Sequence, residues 1–369
     1  MNPPKRVGAE RIGLLTLTLH INYGGILQIA ALYSFLSDQG REVTLFRTGP
    51  NRPAWHRLIA AALRNIPFQN IGGLRARHLA WSTHTPFIER YLPRKTAVLR
   101  TNAQLSQEVA RLNLDAFIVG SDQVWRRKFA FGSDFLNYFL DFVRDDTRKI
   151  SYAASFGNDH WQEQDLTDNV KSLLARFHAI TLREETGRQI VAETFGRDDS
   201  TLVLDPTLLM SADFYEAMLE TAVLPAAPTL MKYVLDPVPE LEMMEKSAME
   251  ILGKNSCSTG IYLEGQDRQA SIPQWLRAFR DADFVVTDSF HGMAFSIIFR
   301  KQFVALVNKD RGADRFISLA RQLGLEDRLI HIGKGQSFPE KQINYSEVEP
   351  KLERRRAESA AALLKALDV

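Results

Sequence analysis

Residues 12–47 read IGLLTLTLHINYGGILQIAALYSFLSDQGREVTLFR, and their reading decides the fold. Ile12 to Leu19 is a short apolar run suited to a buried strand. The loop His20 to Gly25 follows. Leu27, Ala30, Ala31 and Ser34 then recur at helical spacing, and Gly40 is a natural helix stop. Arg41 to Arg47 is again strand-like. Strand, helix, strand with tight connections is a β-α-β unit, which implies a parallel sheet with helices packed on it.

The same grammar resumes downstream. LDAFIVGSDQVW, KISYAASFG, HAITLR and TLVLDP each read as a strand ending in polar or small residues. A second series starts after Pro228: TLMKYVL, the helix VPELEMMEKSAMEILGK, TGIYLE, IPQWLRAFRDA, DFVVTDSFHG and FVALVN. About Tyr345 to Leu367 looks like a charged terminal helix. The expected fold class is therefore α/β, two Rossmann-like domains facing a cleft. The domains span 1–225 and 226–369, with Pro225 and Pro228 at the boundary and the terminal helix in the second. One large mixed sheet is the alternative. Residues 48–100 are expected to be loops and short helices.

The 369 residues suit two domains, and 45% hydrophobic with 24% charged residues is the composition of a globular protein. The one cysteine, Cys257, cannot form an internal disulfide and fits a reducing compartment. No apolar run approaches the ~18 residues of a membrane helix. The amino terminus lacks the exit of a signal peptide, so a cytoplasmic protein is expected. Net charge is +2, yet Arg47 to Arg100 holds ten Lys or Arg and one acid, Glu89. That face is either merely solvated or meets an anionic acceptor at a membrane surface.

Ligands of open α/β sheets bind outside the carboxyl ends of strands. TDSFHGMAFSIIF, 287–299, places His291 at such an end, at the start of a helix. Gly292 permits close approach of a ligand to backbone. Ser289 is a candidate cap and Asp288 a candidate partner that orients the imidazole. An ordinary buried histidine is the bland reading. Asp122 in GSDQVW could take a sugar hydroxyl's proton or simply shape a turn. Trp125 reads as core. Arg183 is a forked cation suited to carboxylate or phosphate, or else an ion-pair partner of Glu184 or Glu185. There is no G-x-G-x-x-G, phosphate loop, zinc spacing or G-x-S-x-G elbow. Dehydrogenase, ATPase, zinc hydrolase and serine hydrolase are disfavoured, and no metal is expected.

Taken in order, LTLHINYGGILQIAAL, GSDQVW, SYAASFG, LREETG, DPTLLM, ADFVVTDSFHGMAFSIIF and DRGADRFISLARQLGLEDRLI resemble the polysaccharide pyruvyl transferase family over roughly residues 12 to 331. The resemblance implies a glycosyltransferase type B-like (GT-B-like) pair of domains. It implies transfer of a pyruvyl group from phosphoenolpyruvate to sugar hydroxyls, giving a ketal on a surface polysaccharide or its lipid-linked precursor. It associates His291 and Arg183 with the donor and puts Asp122 near the acceptor, so the expected site has His291 and Asp122 in catalysis and Arg183, Ser289 and Gly292 at the donor. Asn22, Tyr23, Ser121, Gln123 and Ser155 fall to the acceptor. No cofactor beyond the donor substrate is implied, and no nucleic acid. Arg126, Glu185-Thr186 and Ser-Phe-His depart from forms seen in relatives, which leaves acceptor identity open. A nucleotide-sugar glycosyltransferase of the same fold, or a glycan-binding protein without activity, are the competing readings.

Overall fold

The structure is a computed structural model that describes residues 9–19, 22–51, 55, 74–130, 134–219, 230–236, 238–253, 258–260, 270–308 and 312–368. Two parallel sheets follow one another along the chain. The first holds β1 (Arg11–Leu15), β2 (Glu42–Thr48), β3 (Lys95–Leu99), β4 (Ala116–Asp122), β5 (Arg148–Ala154), β6 (Ala179–Leu182) and β7 (Thr201–Leu202), in the order 3-2-1-4-5-6-7. The second holds β8 (Leu230–Tyr233), β9 (Ser258–Gly260), β10 (Phe284–Thr287), β11 (Gln302–Val307) and β12 (Leu329–His331), in the order 12-11-10-8-9. All pairings are parallel. Strand order therefore reverses between β1 and β4 in one sheet and between β8 and β10 in the other. Those two switch points are where open α/β sheets form a crevice.

The first helix, Tyr23–Asp38, starts at Asn22, whose side chain accepts from the Gly25 backbone N–H at 3.2 Å. Eleven of its sixteen residues are buried, because it lies between the first sheet and the second half of the chain. A single apolar core includes Ile12 and Ile118 from the first sheet, Val285 and Ala305 from the second, and Leu363 of the terminal helix. Tyr23 is the most direct link. Its ring stacks on Trp275 at 5.4 Å and 11°, and its hydroxyl donates to the Ala270 carbonyl at 2.7 Å.

Two expectations need correction. Residues 48–100 were read as loops and short helices, but they contain the eighteen-residue helix Leu74–Tyr91 and β3. Pro86 inside that helix and the strong positive charge hid its period. The terminal helix, Tyr345–Leu367, has the expected span but crosses back over the first sheet's side. Arg355 donates to the Leu202 carbonyl at 3.0 Å, Arg356 to that of Leu208 at 2.8 Å, and Ser359 Oγ accepts from Leu204 N–H at 2.9 Å. The boundary region 220–229 and Cys257 lie outside the described residues. Among the described residues no helix is long and apolar enough to cross a membrane.

Candidate functional site

Four strand ends meet. Asp122 closes β4, Arg183 and Glu184 follow β6, Asp205 follows β7, and His291 follows β10. The Arg183 guanidinium is the hub. Its Nη1 donates to Asp205 Oδ2 at 2.7 Å and lies 3.5 Å from Ser121 Oγ; its Nη2 donates to Asp122 Oδ1 at 3.1 Å. His291 Nε2 stands 4.0 Å from Asp205 Oδ2. Arg315, on the helix Ala313–Leu323 of the second half, brings Nη1 to 3.8 Å from Asp122 Oδ1. The Phe290 ring lies against both guanidiniums, at 4.9 Å from Arg183 and 5.4 Å from Arg315, so two cations share one apolar support.

The two switch points touch at Gly24. A Cβ there would fall 2.0 Å from His291 Nδ1, so only glycine lets the first helix start reach the imidazole. Gly292 also serves a contact within the fold. A Cβ on it would fall 2.1 Å from Thr287 Oγ1, so its lack of a side chain seats the helix Phe290–Ile298 on β10.

His291, Arg183 and Asp122 are thus brought together as the sequence suggested. Most other candidates have partners within the fold. Ser121 Oγ donates to Asp205 Oδ2 at 2.9 Å, and its N–H donates to Gln28 Oε1 at 3.1 Å. Gln123 Oε1 accepts from Arg126 Nη1 at 3.0 Å, which also gives the unusual Arg126 a role in packing. Ser155 donates to Glu184 Oε1 and accepts from Gly157 N–H at 3.1 Å. Asn22 is a helix cap, and Tyr23 points into the aromatic nest around Trp275. Ser289 makes no side-chain cap bond. Asp288 does not hold the imidazole; its two oxygens accept from Leu235 and Asp236 N–H at 2.7 and 2.8 Å. Trp125 is core, stacked on Phe139 at 5.4 Å. Arg183 pairs with Asp205 and Asp122 rather than with Glu185, and Glu184 stands 4.0 Å from its Nε.

Sequence reasoning passed over Asp205 and Arg315, and it named Glu184 only as an alternative ion-pair partner of Arg183, a pair that forms at 4.0 Å. Asp205 precedes Pro206, so it reads as a helix cap. It is one: Oδ1 accepts from Thr207 N–H and Oγ1 at 3.0 and 2.8 Å, and only Oδ2 joins the site. Glu184 sat in the shadow of Arg183, and Arg315 had no local signature.

Every group here is buried, so charge balance decides protonation. Burial pushes the Asp122 carboxyl up, but Arg183, His291 and Arg315 outweigh it and hold it below its ordinary value. Asp205 is likewise held down, by Arg183 and His291 against burial. For Glu184 burial wins over Arg183 and the Ser155 hydrogen bond, and its pKa is raised. Burial lowers His291, against the pull of Asp205 and Asp122. Burial and the neighbouring Arg183 bring Arg315 down to about 10. The cluster therefore sets two guanidiniums among three carboxyl groups, with Asp122 and Asp205 held toward the ionised form and Glu184 and His291 pushed toward the neutral one. Three buried polar atoms in it make no hydrogen bond: Arg183 Nε, Glu184 Oε2 and His291 Nε2. Unsatisfied buried donors and acceptors cost stability, although Arg183 Nε and Glu184 Oε2 face each other at 4.0 Å, and their clustering makes this the candidate site for a polar ligand. Among the described residues no group of three or more His, Cys, Asp or Glu could hold a metal ion.

The family model for polysaccharide pyruvyl transferase matches residues 22–310, most of the chain and all of these residues except Arg315. The chain belongs to the polysaccharide pyruvyl transferase family. As a member of a transferase family it is expected to act on a saccharide acceptor. The fold has solved counterparts. A UDP-N-acetylglucosamine 2-epimerase from Listeria monocytogenes aligns with TM-score 0.50 at 11% identity, over 97% of this chain and 91% of that one. One from Rickettsia bellii aligns with TM-score 0.48 at 11% identity, over 98% and 97%. The spinosyn forosaminyltransferase SpnP aligns with TM-score 0.45 at 12% identity, over 96% and 92%. At such identities the likeness concerns architecture alone, and that architecture is the GT-B-like pair of Rossmann-like domains. No curated protein sequence matches the chain.

Proposed function

We propose that this pyruvyl transferase family member moves a pyruvyl group from phosphoenolpyruvate to two hydroxyls of a sugar, releasing phosphate and forming a cyclic ketal. The observation that carries this reading is the set of buried atoms of Arg183, Glu184 and His291 that make no hydrogen bond, gathered at strand ends beside the helix that carries Arg315. A donor with a carboxylate and a phosphate suits Arg183, whose Nε makes no hydrogen bond and stands 4.0 Å from Glu184 Oε2, and the nearby Arg315. His291, protonated once the anion is bound, delivers a proton to the methylene carbon. Positive charge then develops at C2, where a sugar hydroxyl adds as its proton passes to a base. The C2–O bond to phosphate breaks with its electron pair leaving on phosphate, and a second hydroxyl closes the ring at C2 as its proton passes to the departing phosphate. In this reading Asp122, whose pKa is held below its ordinary value, takes the proton of the first incoming hydroxyl. The buried site keeps water from capturing the C2 cation.

The acceptor fits a saccharide, free or carried on a lipid diphosphate at the inner membrane surface. In the basic stretch, several described cations are already engaged. Arg94 pairs with Glu42, Lys95 with Glu89 at 2.6 Å, and Arg47 bonds the Thr96 carbonyl at 2.7 Å. Arg75 and Arg77 lie where no side chain is described. The test is acceptor-dependent phosphate release from phosphoenolpyruvate, screened over free and lipid-linked oligosaccharides. Release of a nucleotide from a nucleotide sugar, with none of phosphate, would favour the glycosyltransferase reading instead.

A further inference from the structure

Away from the strand-end cluster, a solvent-open groove of about 580 Å³ runs along the outer edge of β7. Four arginines line it, from three separate parts of the chain. Arg188 comes from the helix Glu185–Glu193 of the first half, Arg321 from the helix Ala313–Leu323 of the second, and Arg354 and Arg355 from the terminal helix.

Two of these cations are held in place by the edge strand and its flank. β7 pairs only with β6, so its other side is open. Arg188 Nε donates to the Ser200 carbonyl at 3.1 Å, and Arg355 Nη2 to the Leu202 carbonyl at 3.0 Å. Gln322 Oε1 accepts from Arg355 Nε at 2.8 Å, which fixes the fork further. Neutralisation is incomplete. Glu185 pairs with Arg188 at 3.0 Å, and Glu358 is shared by Arg355 and, at 4.0 Å, Arg354. Arg321 has no ion pair among the described residues and acts on Asp314 only through the longer-range field. Four guanidiniums thus face two carboxylates in one concave site. Solvated side chains of like charge normally spread apart; here backbone carbonyls hold two of them together. Forked donors fixed at an edge match the oxygens of a phosphoryl group.

We infer that this groove is a second anion site that binds a diphosphate group and, by spanning both halves and the terminal helix, ties them together. The diphosphate is either free or the headgroup of a lipid. The inference needs nothing from the transfer reaction.

The test titrates inorganic diphosphate into the full chain by calorimetry. A parallel arm uses neutral-lipid vesicles with and without a prenyl diphosphate. Wild type should bind diphosphate saturably and melt several degrees higher with it. Arg321→Glu/Arg354→Glu should bind at least tenfold more weakly and lose the thermal shift, whereas His291→Ala should bind as wild type does. Both arginines reach into solvent, and Arg321→Gln/Arg354→Gln serves if the reversal impairs folding. Binding to vesicles only with the prenyl diphosphate, lost in the arginine variant, assigns a lipid source; binding confined to the soluble arm assigns a free one. Three results would overturn the site: no binding in either arm, undiminished binding in both arginine variants, or loss in His291→Ala with retention in them.

Discussion

Burial takes His291 below its ordinary pKa, while a general acid must carry a proton. On the proposed reading the donor resolves this. Its negative charge beside the imidazole raises the pKa again, so donor binding should draw protons from solvent near and above pH 7. Calorimetry of phosphoenolpyruvate binding in two buffers of different ionisation enthalpy should show net uptake, reduced in His291→Ala. Binding with no proton exchange would remove His291 from the acid role. On the proposed reading Arg183 both binds the donor and holds Asp122 and Asp205, so its substitution should have two signatures. Arg183→Lys keeps a charge but loses the fork between Asp122 and Asp205. We expect a raised KM for phosphoenolpyruvate together with a lowered melting temperature. Removal to alanine would cost about 3–5 kcal/mol, the scale for stranding buried partners. A raised KM for the acceptor alone would place Arg183 on the other side of the cleft.

Among the elements, the helix Leu74–Tyr91 carries a liability unrelated to catalysis. His84 is wholly buried against the edge of Tyr23 at 4.9 Å, and neither ring nitrogen has a hydrogen-bond partner. Burial lowers its pKa from 6.5 to about 4. A depressed folded-state value means stability present above pH 6.5 and lost as pH falls through about 4. At about 1.4 kcal/mol per pH unit, the full loss is roughly 3 kcal/mol. His84→Phe keeps the ring and removes the charge, so its urea midpoint should fall less than wild type's between pH 6.5 and 4. Parallel curves would mean that His84 does not titrate with unfolding. This element also shows where the sequence was silent. Strands such as β4, β10 and β11 are buried on both faces and stand out as apolar runs. The Leu74–Tyr91 helix has mixed faces and an internal proline, and nothing local announces it. The site divides the same way. His291, Arg183 and Asp122 end recognisable strands, whereas Arg315 sits within a helix and reaches the site only through the packing of the two halves. Ser121 and Ser155 end strands too, yet their hydroxyls are consumed by Asp205 and Glu184, which no spacing rule could foretell.

Taken whole, the molecule is two sheets sharing one apolar core, with Tyr23 inserted from one half into the aromatic nest of the other and the terminal helix strapped back across the first. Large apolar contact between halves opposes independent motion and independent unfolding. Calorimetric melting should therefore show one transition, whose van't Hoff and calorimetric enthalpies agree. Two resolved transitions would mean that the shared core contributes little.

The central claim is that His291 places a proton on the donor's methylene carbon within a phosphate-releasing transfer. It is tested most directly by running the acceptor-dependent reaction in deuterated water and reading the product by mass spectrometry alongside phosphate release. The account predicts one deuterium in the ketal methyl for each phosphate released, with turnover in His291→Ala lower by about 10²-fold or more. Product without deuterium, or undiminished turnover in a folded His291→Ala variant, would contradict it.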